Sequence, residues 1–316
     1  MIITLTANPS LDRTIELGAP LAHGAVQRAV GAVQDPGGKG VNISRALQVS
    51  GVPTLAIVPG EVTDPVLTAL QAVDVEFANL PTGEPIRSNI TVVDPDGTTT
   101  KLNAPGTVFD AELRQKLDEL VVEHSKGADW VVLAGSLPPG LEPTYYSKLV
   151  AALRASGYEG KIAIDTSEAP LIATVTGEHK PTLIKPNSEE LAQLTGSDNW
   201  EELEASPELT ARTAQKLLGD GIEYVLATLG GGGAVLVTEQ GIWHAVHEPI
   251  QVRSTVGAGD SSLSGFLIAH TRGEDTPGCL VQAVAHGSAA AALPGTRMPS
   301  LEQTTPEKVT VRQLQL

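Results

Sequence analysis

The chain has little cysteine and few basic residues, and both shortages exclude classes of protein. Among 316 residues there is a single cysteine, Cys279, which excludes an intrachain disulfide framework and a zinc site built from cysteine thiolates. Lysine and arginine together number 21 against 37 acidic residues, so the net charge is −16. Nucleic acids and anionic membranes select clusters of Lys and Arg. We therefore expect no nucleic-acid partner and no membrane partner.

Long apolar runs are also missing. No uninterrupted apolar stretch approaches the ~18 residues that cross a bilayer, and the first residues lack the basic-then-apolar pattern of a secretory signal. We therefore expect a soluble, cytoplasmic protein. Hydrophobic residues make up 41% of the chain, which at this length is enough to bury a sizeable core.

Short apolar runs alternate with amphipathic segments from residue 129 to 292. Such alternation predicts βαβ units and a mostly parallel sheet that helices cover on both faces. Tyr146 to Ala155 and Thr210 to Leu218 are the clearest of the predicted helices. The predicted strands between the helices are 130–134, 162–165, 183–185 and 224–228.

Two segments, about 11–35 and 86–105, break this alternation. Both indicate extended chain without crossover helices, and the second contains a hairpin whose turn is Asp94-Pro95-Asp96-Gly97. We predict a small β-sheet lid that interrupts a three-layer α/β body, so the two units are interleaved in sequence. The body then comprises about 1–10, 36–85 and 106–316.

The strongest candidate motif is Ser254-Thr255-Val256-Gly257-Ala258-Gly259-Asp260, which leads into an apolar helix predicted over 263–269. Glycines let successive backbone N–H groups point outward at a helix start, where the helix dipole also favours phosphate. An aspartate at this place can deprotonate a hydroxyl that attacks the phosphate. The same residues suit a plain helix cap, so a catalytic and a structural role both stay open.

A second glycine cluster, 35–42, opens another predicted helix. Its Gly37-Gly38-Lys39-Gly40 run lacks the Ser or Thr that follows Gly-Lys in a Walker A loop, and it lacks a dinucleotide fingerprint. The glycines still allow a ligand to approach the backbone, with Lys39 as a point charge and Asn42 as a polar partner. A tight turn with a solvated lysine is the alternative interpretation.

Three further loops directly follow predicted strands: 135–140, which contains Ser136, then 185–190 and 228–234. Each also has a structural interpretation, respectively a Pro/Gly turn, a capping box and a flexible connector. Because the carboxyl ends of parallel strands share one sheet edge, we expect all these loops at one crevice.

Two helix starts that favour anions at one crevice predict two phosphorylated ligands. The reaction that needs this arrangement is phosphoryl transfer, which depends on positioning, charge stabilisation and one base. Arg87 in the second lid segment is suited to binding a phosphate through two N–H groups, although a lone strand arginine is also typical of a solvated edge. The seven histidines are scattered and give no metal-ligand set.

Taken together, these motifs resemble the ribokinase family of carbohydrate kinases, in its phosphofructokinase B branch. The resemblance covers nearly the whole chain and implies a ribokinase-like fold, ATP as phosphoryl donor, Mg²⁺ as required ion and a homodimer formed through the β-lid. The ordered motifs that carry it are 6–12, 36–42, 87–89, 135–140, 185–190 and 255–260.

The resemblance also implies roles for individual residues. Asp260 would be the general base, beside an anion hole for the transferred phosphate made by Gly257, Ala258 and Gly259. The residues that would hold the sugar phosphate are Asp12, Gly37, Gly38, Lys39, Asn42, Arg87, Asn89 and Ser136. The residues that would bind ATP are Lys185, Asn187, Glu190, Thr228, Gly230, Gly233, Thr255, Gly257, Gly259 and His286. The residues that would hold Mg²⁺ indirectly, through water, are Asn187 and Glu190.

Within the family, the chain resembles the kinases that convert fructose 1-phosphate to fructose 1,6-bisphosphate. Minor-type 6-phosphofructokinases and tagatose-6-phosphate kinases share nearly all these motifs and stay open as alternatives. A non-catalytic sugar-phosphate or nucleotide sensor on the same fold is an alternative of another class, although the intact Asp260 motif favours an enzyme. The turn 59–64 is short and acidic, unlike the family's usual glycine-rich turn, so its contacts also stay open.

Overall fold

The computed structural model describes residues 1–197 and 199–315. Within these residues the chain forms fourteen strands and ten helices, besides short 3₁₀ turns. The strands are β1 (Ile2–Thr6), β2 (Ser10–Leu17), β3 (Ala29–Gly37), β4 (Thr54–Pro59), β5 (Phe77–Leu80), β6 (Arg87–Val93), β7 (Thr99–Asn103), β8 (Trp130–Ala134), β9 (Lys161–Asp165), β10 (Leu183–Ile184), β11 (Tyr224–Thr228), β12 (Ala234–Thr238), β13 (Gly241–His247) and β14 (Val309–Gln313). The helices are α1 (Lys39–Val49), α2 (Pro65–Ala72), α3 (Ala111–Ser125), α4 (Tyr145–Ala155), α5 (Glu168–Thr176), α6 (Ser188–Thr195), α7 (Trp200–Ala205), α8 (Pro207–Gln215), α9 (Ala258–Thr271) and α10 (Thr276–Ala291).

The larger sheet has ten strands in the order β14-β13-β12-β11-β10-β9-β8-β1-β4-β5. From β5 to β11 every neighbouring pair is parallel, whereas β12, β13 and β14 add an antiparallel edge. The predicted mostly parallel sheet is confirmed.

Strand β8 shows why the sheet needs helices on both faces. Trp130 and Val132 pack with α1, α9 and α10 on one side, and Val131 and Leu133 pack with α3 and α4 on the other. All four side chains are buried, and burial of each apolar side chain of this size contributes about 1.5–3 kcal/mol. A strand that is apolar at every position therefore fits only the middle layer of three.

The smaller sheet has four strands in the order β3-β2-β6-β7. Strands β2 and β6 pair in parallel, and the other two pairs are antiparallel. All four strands come from the segments that break the helix–strand alternation, which confirms an α/β fold with a small second sheet. The turn between β6 and β7 is closed by the backbone N–H of Gly97, which donates to the carbonyl of Asp94.

Helices α9 and α8 begin several residues earlier than the sequence-based prediction. Helix α9 begins at Ala258 rather than near 263, because Gly257 adopts a left-handed backbone with φ of 76° that ends the preceding turn. Helix α8 begins three residues before the predicted Thr210. Its N-cap, Ser206, accepts a hydrogen bond from the backbone N–H of Leu209, and the proline that follows Ser206 suits the first helical turn.

Among the described residues, none of the helices combines the length and the apolar character needed to span a membrane.

Candidate active site

Three of the predicted loops, 185–190, 228–234 and 254–260, meet at one crevice, whereas no residue of loop 135–140 lines it. A cavity of about 1000 Å³ lies there, between the first turn of α1, the loop before α6 and the first turn of α9. The candidate residues that line it are Lys39, Lys185, Asn187, Glu190, Thr228, Gly230, Gly233, Thr255, Gly257, Ala258, Gly259 and Asp260.

Asp165 organises the charges at the floor of this crevice. It ends β9 and is completely buried, and its carboxylate pairs with Nζ of Lys39 at 2.5 Å and with Nζ of Lys185 at 3.1 Å. Burial alone would raise the pKa of Asp165, but the two ammonium groups outweigh burial and lower it. Asp165 therefore stays ionised and fixes two positive charges beside the cavity.

Asp165 was not among the sequence candidates. Its signal in the sequence is an acidic residue at the carboxyl end of an apolar parallel strand, the position where ligands meet such sheets. Lys39 and Lys185 lie 126 and 20 residues away in the sequence, so spacing alone does not reveal the cluster.

Lys39, the first residue of α1, has a second acidic neighbour. Its Nζ lies 3.9 Å from Oε1 of Glu190. Burial alone would lower the pKa of Lys39, but the carboxylates of Asp165, Glu190 and Asp260 outweigh burial and raise it. Lys39 is therefore a permanent cation at neutral pH.

Asp260 lies in the first turn of α9 and is only 7% exposed. Nδ2 of Asn42 donates to its Oδ2 at 2.8 Å. Burial and the negative charge of Asp165 raise the pKa of Asp260, while Lys39, Asn42 and Lys185 act in the opposite direction. Within residues 1–197 and 199–315 no hydrogen bond reaches Oδ1 of Asp260, and a carboxylate with a raised pKa and such an oxygen is suited to accept a proton from a hydroxyl.

Gly257 is favoured by its left-handed backbone, and a side chain at Gly257 or Gly259 would have to displace the end of a neighbouring side chain. A Cβ at Gly257 would lie 2.8 Å from the Met298 methyl group, and φ at Gly257 is 76°. A Cβ at Gly259 would lie 3.3 Å from Nζ of Lys185. The first-turn amides of a helix have no intrahelical acceptors, so the start of α9 can bind an anion beside Lys185.

Asn187 and Glu190 form the capping box of α6. The side chain of Asn187 accepts from the backbone N–H of Glu190 at 2.8 Å, and Oε2 of Glu190 accepts from the backbone N–H of Asn187 at 2.9 Å. The structural interpretation of this motif is therefore realised. Oε1 of Glu190 is not used by the cap and points towards Lys39 at the cavity.

The described residues contain no group of three His, Cys, Asp or Glu side chains that could hold a metal ion alone. Mg²⁺ in nucleotide sites is typically held by one or two carboxylates together with phosphates and water. Oε1 of Glu190, which the cap does not use and which lies at the cavity 3.9 Å from Nζ of Lys39, fits that mode of binding.

The cavity also has an apolar part of its lining, besides the glycines Gly230 and Gly231 of the 3₁₀ turn Gly230–Gly232. Sequence analysis missed these apolar residues because they come from separate helices and loops with no motif. They include Trp200, Val246, Pro249, Ile250, Val284 and Ala291.

His286, expected near the adenine, is not among the residues that line the cavity. It is fully buried in α10, and its Nδ1 lies 2.8 Å from Nε2 of Gln282. Burial lowers the pKa of His286 to about 4, so it is neutral at pH 7. Its neighbours Gly287 and Ser288 line the cavity instead.

Apart from Lys39, the residues expected to hold a sugar phosphate are not among those that line this cavity, and several lie where the small sheet joins the body. Nδ2 of Asn89 donates to Oδ1 of Asp12 at 3.0 Å, and the hydroxyl of Ser10 donates to the same oxygen at 2.7 Å. Gly37 lies against Asp12, because a Cβ there would be 2.3 Å from its Oδ2. Gly38 follows with φ of 117° and caps α1.

Arg87 binds the backbone where the small sheet meets the body. Its guanidinium donates to the carbonyls of Asn8 at 3.1 Å, Pro9 at 3.3 Å and Ala104 at 2.7 Å. Burial lowers the pKa of Arg87, and Asp12 opposes that effect. Arg87 is therefore not a solvated edge residue.

Ser136 is joined to the same region through Asn8, which sequence analysis did not select. Nδ2 of Asn8 contacts Oγ of Ser136 at 3.4 Å and donates to the carbonyl of Pro105 at 3.1 Å. Asn42 and Lys39 connect this region to the cavity, since Asn42 holds Asp260 and Lys39 lies on the same helix turn.

The acidic turn 59–64 also contacts the small sheet. Asp64 is buried, and it accepts from the backbone N–H of Glu61 at 2.8 Å and from that of Ile86, just before β6, at 3.2 Å. A carboxylate here therefore braces the join between the body and the small sheet.

Known proteins share this architecture. Residues 6–303 match the family described as pfkB family carbohydrate kinase. A 1-phosphofructokinase of Haloferax volcanii is 34% identical over 320 residues, which cover 99% of each chain. Phosphofructokinase-2 of Escherichia coli, solved with substrates and products, is 29% identical with a TM-score of 0.85 over 96% of both chains. That enzyme has also been solved with fructose-6-phosphate and in a tetrameric inhibited form.

A ribokinase of Thermotoga maritima shares the fold, with a TM-score of 0.73 at 17% identity over 96% of this chain and 97% of its own. The fold and the site together define a sugar kinase, a phosphotransferase with an alcohol group as acceptor. The chain belongs to the pfkB family of carbohydrate kinases. Membership of a sugar-kinase family implies ATP as the phosphoryl donor.

Proposed function

We propose that the enzyme transfers the γ-phosphoryl group of ATP to the C6 hydroxyl of fructose 1-phosphate, giving ADP and fructose 1,6-bisphosphate. The observation that carries this proposal is that Asp260, in the first turn of α9, and Lys185, held by Asp165, line the same cavity, where they provide a proton acceptor and a fixed cation. Phosphoryl transfer needs these two functions side by side.

Asp260 is the proposed general base. Its Oδ2 accepts from Asn42, so its Oδ1 can accept the proton of the acceptor hydroxyl as the oxygen attacks the γ-phosphorus. The bond from phosphorus to the leaving oxygen of ADP then breaks. The raised pKa of Asp260 favours this role, because a base is most effective when its pKa approaches the working pH.

Lys185 and the first turn of α9 are proposed to stabilise the transferring phosphoryl group. Lys185 is 4% exposed and fixed by Asp165, so its charge is aimed before ATP binds and needs no rearrangement during the reaction. The amides after Gly257, including those of Ala258 and Gly259, supply the proposed anion hole.

The nucleotide is proposed to lie along the rest of the cavity. Thr228, Gly230, Gly233 and Thr255 line its wall, and the apolar part of the lining around Trp200 accepts the adenine. His286 is left out of this site because of its position. Mg²⁺, when bound, would neutralise phosphate charge, and Asn187 and Glu190 would hold it through water, with Asp165 beside them.

The sugar phosphate is proposed to bind between the small sheet and α1. Asp12 and Asn89 form the polar wall of this site, and Ser136 lies at its edge. The Gly37-Gly38 turn lets the backbone approach the ligand, with Lys39 and Arg87 as the cations. Asn42 lies between this site and Asp260, which places the acceptor hydroxyl next to the base.

The choice of fructose 1-phosphate is supported by the 34% identity to an enzyme described as 1-phosphofructokinase. A second candidate activity, phosphorylation of fructose 6-phosphate, is favoured by the likeness to phosphofructokinase-2 of Escherichia coli, which has been solved with that sugar phosphate. Tagatose 6-phosphate is the third substrate to compare, because it carries its phosphate at the same carbon as fructose 6-phosphate.

A coupled ADP-release assay with ATP and Mg²⁺ tests the proposal. We expect kcat/KM for fructose 1-phosphate to exceed that for fructose 6-phosphate and tagatose 6-phosphate by about a hundredfold, roughly 2.7 kcal/mol of transition-state discrimination. A preference for either 6-phosphate would contradict fructose 1-phosphate as the substrate but would leave the proposed role of Asp260 unchanged. Binding of the ligands without turnover of any of the three would favour a non-catalytic sensor over an enzyme.

We also propose that the protein is a cytoplasmic homodimer that forms through the small sheet. Its edge strand β3 leaves Val30 and Val33 largely exposed, and an unpaired apolar edge strand is a typical surface for sheet-to-sheet association. Light scattering should give twice the mass of one chain for the wild type and a smaller mass for Val33→Asp. A wild-type monomer would contradict this assembly.

A further inference from the structure

Arg45 lies one helical turn after Asn42 on α1, and no role has yet been given to it. Its Nη1 is 3.4 Å from Oδ1 of Asn42 and 3.5 Å from the carbonyl oxygen of Pro36, and it donates to both. Asn42 in turn donates through Nδ2 to Asp260 at 2.8 Å. A continuous chain of contacts therefore runs from Arg45 to the proposed base.

We propose that Arg45 is a positioning residue, which fixes the orientation of the Asn42 amide and thereby holds Asp260 with its Oδ1 directed at the acceptor hydroxyl. The inference rests on the proposed function, because it presumes that Asp260 acts as the base.

The argument depends on the two ends of an amide group. The oxygen and the NH₂ group of asparagine are nearly equal in size, so packing alone does not select one orientation, and the hydrogen-bond network decides. Arginine has five N–H donors and no acceptor. A guanidinium beside Asn42 therefore attracts Oδ1, which leaves Nδ2 for the carboxylate of Asp260.

The opposite orientation would disable the base. With the amide turned over, Oδ1 of Asn42 would face Oδ2 of Asp260, and two oxygen acceptors in contact repel each other unless one carries a proton. Such a contact favours the protonated form of Asp260, which cannot accept a proton from the sugar. Asn42 is buried, so water does not restore the lost hydrogen bond readily.

The second contact of Arg45 extends the chain to the small sheet. Pro36 lies near the end of β3, next to the Gly37-Gly38 turn of the proposed sugar site. One guanidinium thus holds both the strand that carries this turn and the amide that orients the base. The sugar site and the base are therefore kept in register by a residue that touches neither ligand.

Other charged groups surround the two ends of this chain. Burial lowers the pKa of Arg45, and the negative charge of Asp35 opposes that effect. Arg45 and Arg297 both line a second, smaller cavity of about 240 Å³. Arginine stays protonated through the range in which enzymes are assayed. The charged groups that face Asp260 are Asp165, Lys39 and Lys185.

The experiment compares R45M, R45K, N42A and the double variant R45M/N42A with the wild type. For each we would measure kcat, both KM values and the dependence of kcat on pH, after confirming a folded protein by circular dichroism. R45M should lower kcat about tenfold or more, the effect of losing one hydrogen bond to a charged group. In R45M the acid limb of kcat against pH should move to higher pH, while both KM values stay within about threefold of those of the wild type. A general packing defect would not change kcat and its pH dependence while sparing both KM values.

The double variant tests whether Arg45 acts through Asn42. If it does, R45M/N42A should match N42A, because the orientation of an absent amide cannot matter. R45K should lie between R45M and the wild type, since an ammonium also attracts Oδ1 but lacks the planar fork. If R45M does not fold, R45K replaces it in the test. The acid limb of kcat against pH should then shift in R45K, where Asn42 is present, and should not shift when R45K is added to N42A.

Wild-type kcat and pH dependence in R45M, or full additivity of the R45M and N42A losses, would overturn the inference while leaving the proposed function intact. A variant D260N with wild-type kcat would overturn the proposed function, and the role of Arg45 with it. The two failures are therefore distinguishable by which variant keeps its activity.

Discussion

Replacing Asp165 by asparagine removes the charge that holds two lysines together. The carboxylate is completely buried, Lys185 is 4% exposed and Lys39 is 31% exposed. Lys39 keeps Glu190 at 3.9 Å, whereas Asp165 is the only carboxylate within 4.0 Å of Lys185 in the described part of the chain. In D165N it is therefore mainly the buried ammonium group of Lys185 that loses its counterion.

Removing one partner of a buried ion pair costs about 3–5 kcal/mol, because the remaining charge is neither hydrated nor paired. We expect D165N to lose that much of its free energy of unfolding at pH 7.5, measured by urea denaturation. The lowered pKa of Asp165 gives the sign of the pH dependence. Its contribution is present above the unfolded pKa and is lost as pH falls through the folded pKa, so D165N should also lose part of the wild type's acid sensitivity.

Glu223→Gln is the matched control for D165N. Glu223 pairs with Lys161 at 2.8 Å but is 56% exposed, and exposed ion pairs contribute only about 0–1 kcal/mol. The reasoning would be refuted if D165N lost less than about 1 kcal/mol, or no more than E223Q, because the lysines would then not depend on Asp165.

Further predictions concern Arg87 and His286. In R87A, we expect the KM for the sugar phosphate to rise about tenfold or more, since Arg87 fastens the small sheet to the body through three carbonyl groups. The KM for ATP should change little, and equal changes in both would place Arg87 outside the sugar site. His286, with a folded pKa of about 4 against about 6.5 unfolded, is neutral in the folded state and gains a proton on unfolding in mild acid. Protonation of His286 in the unfolded state should therefore lower the free energy of unfolding by about 2 kcal/mol between pH 7.5 and pH 5. In H286Q this decrease should be smaller, as measured by urea denaturation at the two pH values. An unchanged pH dependence in H286Q would contradict the burial argument.

The sequence predicted the fold well wherever hydrophobic periodicity was strong. Strands 130–134 and 224–228 have the predicted bounds, because runs that are apolar at every position fit only a strand buried on both faces. The small sheet was also predicted, from alternation of polar and apolar residues without a crossover helix. The start of α9 was predicted too late in the sequence, because the small and polar residues 258–262 lack the apolar periodicity of a helix although they form its first turn.

The site was predicted in part, for a physical reason. Glycine motifs show where a backbone turns tightly, so the glycine-rich turns that precede α1 and α9 were predicted, while anion binding there stays a prediction. Asp165 was missed because its partners, Lys39 and Lys185, are distant in sequence and no local pattern marks it. Asn8 was not selected because its contacts with Pro105 and Ser136 are also distant in sequence. His286 is buried where α10 packs against Gly265 of α9, a tertiary contact that the sequence pattern does not indicate.

The central claim, that Asp260 takes the proton of the acceptor hydroxyl, is tested most directly by single-turnover phosphoryl transfer in D260N. With saturating fructose 1-phosphate and ATP, we predict a rate lower than that of the wild type by about three orders of magnitude. ATP binding measured by calorimetry should be retained, because the nucleotide is held by other residues. Transfer in D260N at a rate near that of the wild type would contradict the account.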